Sequence, residues 1–374
     1  MTNIPNFLEE EDYDQATETA AEAEPVFGVP GFGKGKNNPR KGSPRARITE
    51  RDIPVVYFLG HFPGADVEAC SVLNTAKRMK FGSQQVGGGL TSVVTTQNRL
   101  EKLRKLGVVE RYRHPVTGTF SYGLTGAGFA AARDYGLNMD SGRTLHGISI
   151  SRLAHYRTIA LVAAKFASPA GYFKETLGIN PVRLEHLISE NRMRAAYEPA
   201  KEELAARKKD GKTHDFGKWR ADKLGAAKDE VTAGQLHMAE LIDAYPVLLT
   251  LGQPQGEEVI AKPVHQPDLA IYRDENRADN QYSLNIMVEV ELSKKDRPEY
   301  TRILATIAAE LKDPLIYSRC IYFAIGPQVE VILRQLDAAN NFKLFESGKL
   351  EVVAITDRNG VPVAQNKRIT IGGN

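Results

Sequence analysis

The sequence predicts an α+β fold in two parts: a small helical domain closed by a β-hairpin, then an α/β domain built on a mixed sheet. Three observations predict it. Between residues 51 and 106 apolar residues recur at helical spacing. Two short apolar runs, Val108–Tyr112 and Phe120–Leu124, flank the turn Pro115–Gly118. From Val264 onward the apolar period changes to two and strands alternate with amphipathic stretches.

The first 50 residues read as a disordered tail, since they carry acidic, Gly, Pro and basic runs but no sustained apolar period. Residues 9–24 are acidic and residues 34–51 are basic, although the whole chain carries only +3. A basic block of this kind neutralises phosphates and releases counterions, or it is a solvated spacer. Gly28, Gly33 and Lys34 match the start of a phosphate-binding loop, but Gly35 stands where Ser or Thr must ligate magnesium. No strand precedes it and no helix pattern follows, so no nucleotide cofactor is expected. The polar N-terminus is not a signal peptide. The apolar stretch Ile159–Ala164 is too short to span a bilayer, so no membrane partner is expected. The two cysteines, Cys70 and Cys320, fall in different predicted domains and show no zinc spacing. A reduced, cytoplasmic location follows.

Order is expected from Arg51. Ile53, Val55, Val56, Phe58 and Leu59 predict a first helix. Asp66 caps a second, running to about Lys80, with Val67, Cys70, Val72, Leu73 and Met79 on its buried side. Phe81–Gly89, rich in Gly and Gln, reads as a loop. Thr91 or Ser92 caps a third helix through Leu106, with Val94, Leu100, Leu103 and Leu106 inward and Gly107 as its stop. The hairpin follows, and Thr125 caps a last helix, Gly128–Tyr135. Helix, helix, helix, hairpin, helix is the order of a winged helix-turn-helix over residues 51–139. The stretch TTQNRLEKLRKLGVVERYRHPVTGTFSYGLTGAG resembles winged-helix regulators, where RLxxLxxxGxVxR precedes the wing and YxLTxxG follows it.

That reading implies a duplex DNA partner. The N-terminal half of the third helix would enter the major groove. It carries the short polar residues Thr91, Ser92, Thr95, Thr96 and Gln97, of which Gln97 can pair with adenine. Arg99, Lys102, Arg111 and Arg113 are the expected phosphate contacts.

Residues 140–180 are expected to contain a connecting helix with Leu153, Tyr156, Ala160, Ala163 and Phe166 on one face, where His155 reads as a packed side chain. Residues 181–358 form the predicted second domain, with 359–374 as a C-terminal tail. Its charged stretch 198–230, around the single Trp219, reads as a solvated helical insertion. Pro267–Tyr272 and Leu284–Leu292 are strands either side of a polar turn, Asp274–Asn280. Helices are expected over Arg297–Lys312 and Val329–Ala339, and strands over Ile316–Ile325 and Leu350–Ile355.

Alternation sets Ile286, Val288 and Val290 against Met287, Glu289 and Glu291, so the two glutamates share a face. Asp268, near the start of the preceding strand, can approach them. Converging carboxylates are tolerated when solvated or when a divalent cation lies between them. Hard oxygen ligands suit magnesium or manganese, which would polarise a phosphodiester. The other reading is a solvated face with Lys294 and Lys295 as partners.

Pro-Asp, about twenty residues, then Glu-x-Glu on a strand is similar to the PD-(D/E)xK nuclease superfamily. The resemblance implies a core of helix, three strands, helix and strand, with a metal on Asp268, Glu289 and Glu291. It also implies an acid on the first helix. Glu190 matches by order, with Glu240 the runner-up. The superfamily's usual lysine, two positions after the acid, is replaced by Glu291, and Lys294 is the nearest candidate for its charge. The winged helix followed by SENRMR, HQPDLAIY and VEVELSKKDRPEYTRIL resembles the replication-relaxation proteins of actinobacterial plasmids and phages, over roughly residues 51–353. That resemblance implies a role in replication or relaxation of mobile-element DNA, by metal-dependent nicking. The alternative is a transcriptional or replication regulator whose inert second domain makes a homodimer.

Overall fold

In the computed structural model, Asp66 starts the second helix as its spacing predicts. Its Oδ1 accepts from Ala69 N at 2.9 Å, satisfying one of the orphan amides of a helix N-terminus. The structure describes residues 48–73, 79–81, 84–86, 90–115, 117–139, 141–210, 215–236, 240–252, 264–272, 285–312 and 316–363. All of them lie within one compact unit, Ala46–Asn374. The expectations for the tail to Arg47, for residues 87–89, for the polar turn 274–280 and for residues 364–374 fall outside the described set.

Helices α1 (Ile53–His61) and α2 (Val67–Val72) are followed by α3 (Val93–Lys105). Helix α2 stops well short of Lys80, because the poor helix formers Asn74 and Thr75 follow Leu73. Met79–Phe81 (β1) and Gln84–Val86 (β2) then pair as a small antiparallel hairpin where helix end and loop were expected. Ser92 caps α3, accepting from Thr95 N at 3.1 Å, and Gly107 ends it at φ +73. Leu100 and Leu103 are buried as predicted, whereas Val94 is 67% exposed. Strands β3 (Val109–Arg113) and β4 (Phe120–Leu124) form the antiparallel hairpin with Arg111 opposite Tyr122. Thr125 caps α4 (Gly126–Asp134). Gly128 is required there: a Cβ would stand 2.1 Å from the Val108 carbonyl oxygen.

The next helix, α5 (Ile150–Ala167), is more than a connector. Every residue from Ile159 to Phe166 is buried, so it carries an apolar surface all round, as a central helix must. One side meets α2, whose Ala69, Cys70 and Val72 belong to its core, and the same core continues onto one sheet face through Leu269, Val288, Val290 and Phe323. The two predicted domains therefore share a core. Beyond the short α6 (Lys174–Leu177) come β5 (Leu187–Ser189), α7 (Glu190–Lys209), α8 (Phe216–Thr232), α9 (Leu241–Ala244), β6 (Leu251–Gly252) and β7 (Val264–His265). The chain then alternates β8 (Leu269–Ile271), β9 (Ile286–Glu291), α10 (Arg297–Lys312), β10 (Arg319–Ala324), α11 (Gln328–Ala339) and β11 (Leu350–Ala354).

The central sheet has the order β11-β10-β9-β8-β5. Strands β9, β10 and β11 are parallel, and β5, β8 and β9 are antiparallel. The protein is thus α+β with a mixed sheet. The charged stretch 198–230 is anchored rather than solvated throughout. Trp219 is buried against Phe216. Arg220, also buried, donates to Glu310 of α10 at 2.8 and 2.9 Å and to the Leu248 carbonyl. Cys70 and Cys320 are buried free thiols. Among the described residues no helix is long and apolar enough to cross a membrane.

Candidate functional site

Register brings the first two acids together. Leu269 of β8 is paired with Val288 of β9, so Asp268, one residue before β8, stands opposite Glu289. Opposite residues of an antiparallel pair have Cβ atoms about 5 Å apart. Asp268 then caps the ladder with its side chain: Oδ2 accepts from Val290 N at 2.8 Å.

Each acid is closed by an imidazole. His155 Nε2, from α5, lies 2.9 Å from Asp268 Oδ1. His265 Nε2, from β7, lies 2.7 Å from Glu289 Oε1. Burial alone would discharge both rings, but the facing carboxylates outweigh it and hold each imidazole above its ordinary value. Burial pushes the Glu289 carboxyl up, against the pull of His265. These are proton-sharing pairs, the kind of arrangement from which general acids and bases are drawn.

The remaining sequence-predicted acids have other partners. Glu190, buried at the start of α7, accepts from Arg194 Nη2 at 2.5 Å and from the Tyr156 hydroxyl at 3.4 Å. Arg152 Nη2 lies 3.6 Å from the same carboxylate. Glu291 accepts from Ser293 N at 3.1 Å and from the Tyr322 hydroxyl at 3.2 Å, with Lys295 Nζ at 3.6 Å. Lysine 294 is exposed, so Lys295 is the lysine that meets a site carboxylate. Glu240 is exposed at the start of α9. Among the described residues no group of three or more His, Cys, Asp or Glu side chains is arranged to hold a metal ion.

Sequence reasoning missed His155, His265, Tyr156, Arg152 and Arg194. The signal for His155 was present: Arg152, His155 and Tyr156 recur at i, i+3 and i+4 and form a polar stripe at the head of an otherwise apolar helix. His265 lies only three residues before Asp268, on the approach to the same strand.

The predicted DNA face divides in the same way. Ser92, Thr95, Gln97, Lys102 and Arg113 are exposed on α3 and the hairpin. Thr96 is buried, and Thr91 Oγ1 is buried with no hydrogen-bond partner among the described residues. Arg99 is engaged in a bidentate pair with the buried carboxylate of Asp52, tying α3 to the entry of α1. Arg111 pairs with Glu101 and lies over the Phe120 ring, 4.5 Å from its centroid. The hairpin and the acid cluster flank the same helix: Arg157 of α5, two residues from His155, donates to Thr119 Oγ1 in the hairpin turn at 2.8 Å. Compared with protein-family models, with curated proteins and with solved structures, the chain matches none.

Proposed function

We propose that the protein binds duplex DNA through α3 and the β3–β4 wing and acts on the DNA backbone at the Asp268–Glu289 cluster, serving replication or relaxation of a plasmid or phage. The observation that carries this reading is juxtaposition: an exposed polar face of α3, followed by the β3–β4 hairpin and α4 and preceded by α1, α2 and the small β1–β2 pair, lies in one compact unit with opposed acids, separated from them by α5. The order α5, antiparallel β5, β8 and β9, then α10 and parallel β10, with α7 to α9 and β6 to β7 inserted between β5 and β8, supports a PD-(D/E)xK-like core. On this reading its acids are Asp268, just before the middle strand, and Glu289 on the next, while Glu190 falls on α7, after the first strand.

Magnesium needs only one or two protein carboxylates, with water and substrate phosphate completing its shell. Asp268 and Glu289 would hold magnesium or manganese after releasing their imidazoles. A bound cation supplies charge stabilisation to the phosphoryl group and an activated water. This chain's own residues orient the acids and hold protons: Val290 N fixes Asp268, and His155 and His265, once released from Asp268 Oδ1 and Glu289 Oε1, would hold their protons beside the site. The expected result is a thermal midpoint raised by millimolar manganese in the wild type and unchanged in Asp268→Asn, because a ligand that binds only the folded state stabilises it. A wild-type midpoint indifferent to manganese would remove the cation.

A second reading has its own observation: every acid of the cluster is already paired within the protein. On it, the protein is a DNA-binding regulator whose second part is inert and dimerises. Duplex retardation without cleavage, by a species of twice the monomer mass, would favour it.

A further inference from the structure

The SENRMR segment, at the start of α7, has a use that the acid cluster does not absorb. Glu190 and Arg194 are four apart, so they share a helix face, and Arg194 grips Glu190 Oε1 through Nε at 3.0 Å and Nη2 at 2.5 Å. From the facing helix, Arg152 reaches the same oxygen at 3.6 Å, and its guanidinium lies over the Tyr156 ring, 5.4 Å from the centroid. The Tyr156 hydroxyl donates to Glu190 Oε2. One buried carboxylate is therefore held by two guanidinium groups that arrive from two helices. Arg152 and Arg194 keep about a third of their side chains or more exposed, 33% and 40%. Arg152 also adjoins His155, one turn along α5, and so borders the Asp268 pair.

Two half-exposed guanidinium planes aligned by one buried acid suit a tetrahedral oxyanion, since the fork is pre-organised and loses little freedom on binding. We infer that Arg152 and Arg194 form a phosphate seat for the backbone of duplex DNA beside the acid cluster, separate from the α3 face, and that Glu190 positions them. The inference rests on the DNA-binding reading and assigns Glu190 a positioning role in place of a metal-ligating one.

The test is a salt titration of the full chain on a labelled duplex, comparing wild type with Arg152→Gln/Arg194→Gln, with the same pair changed to Lys, and with Arg334→Gln on α11 as a remote control. Loss of one phosphate contact should lower the slope of log affinity against log salt by about 0.9, and the lysine pair should keep most of it. Glu190→Ala should lower affinity, because the arginines lose the carboxylate that aligns them. If the double variant fails to fold, Arg194→Gln alone carries the comparison. An unchanged slope in a folded variant overturns the phosphate seat while leaving duplex binding standing. Affinity kept or raised in a folded Glu190→Ala variant overturns the positioning role. A wild type that does not bind duplex at all removes the reading beneath both.

Discussion

The α3 end of the molecule and the acid cluster differ in how far apart along the chain their polar partners lie. Around α3 the helix starts are set by caps spanning three residues, Ser92 with Thr95, Asp66 with Ala69 and Thr125 with Gly128, and the long tie is Arg99 with Asp52 across 47 residues. In the second part the spans are long. His155 meets Asp268 across 113 residues, Arg220 meets Glu310 across 90, and buried Lys165 donates to the Thr356 carbonyl across 191. The first region takes its helix starts from local caps and leaves Ser92, Thr95 and Gln97 exposed. The second is stitched by tertiary contacts, and its functional groups are also part of what holds it together.

The contrast should be largest in stability. Removing Arg220 leaves Glu310 and the Leu248 carbonyl unpaired in the interior, so Arg220→Ala should cost about 3–5 kcal/mol, read by urea unfolding. Arg99→Ala should cost less, about 1–3 kcal/mol, because Asp52 keeps its bonds from Thr49 N and Oγ1. Equal losses at the two sites would erase the distinction. Next in size is an effect on binding without one on stability. Gln97→Ala should weaken binding to the specific site by about 1–3 kcal/mol and leave random duplex untouched, with no shift in thermal midpoint. Equal losses on both DNAs would reassign Gln97 to the backbone.

The smallest expected effect is on pH dependence, and its sign differs between the regions. Burial opposes the charge on Asp52, but Arg99 and Thr49 outweigh it and hold the carboxyl below its ordinary value. Its contribution is present above the unfolded value near ~3.9 and is lost as pH falls through the lower folded one. His155 and His265 are held above the ordinary imidazole value. Their contribution is full below the unfolded value near ~6.5 and is lost as pH rises through the folded values. Acid should therefore loosen the α1–α3 packing, and mild alkali the cluster. Asp52→Asn should flatten the acid limb of a stability–pH curve, and His155→Ala with His265→Ala the alkaline limb. A double histidine variant with an unaltered alkaline limb would show that the imidazoles are bystanders.

How much was legible follows the same division. Caps, the hairpin and the α10 boundaries could be read because each depends on neighbours within a few residues. That Asp268 could approach Glu289 was readable too, from strand order, but the register that sets the two opposite was not. What could not be read was which side chain arrives from elsewhere. His155 looked like a packed residue because nothing local reports that α5 lies against β8. Thr96 and Arg99 looked like DNA contacts because residue type does not reveal that one is buried and the other is held by Asp52. The α2 boundary was misplaced for a different reason: Met79 fits a helical period, but α2 ends at Val72 and Met79 begins a strand.

The most direct measurement is incubation of supercoiled plasmid with the full chain and manganese, alongside Glu289→Gln at matched duplex affinity. Conversion to open circle by the wild type, stopped by Glu289→Gln, is the predicted result. Supercoiled DNA left intact by a wild type that still binds duplex would contradict the account and leave a DNA-binding protein whose paired acids serve the fold.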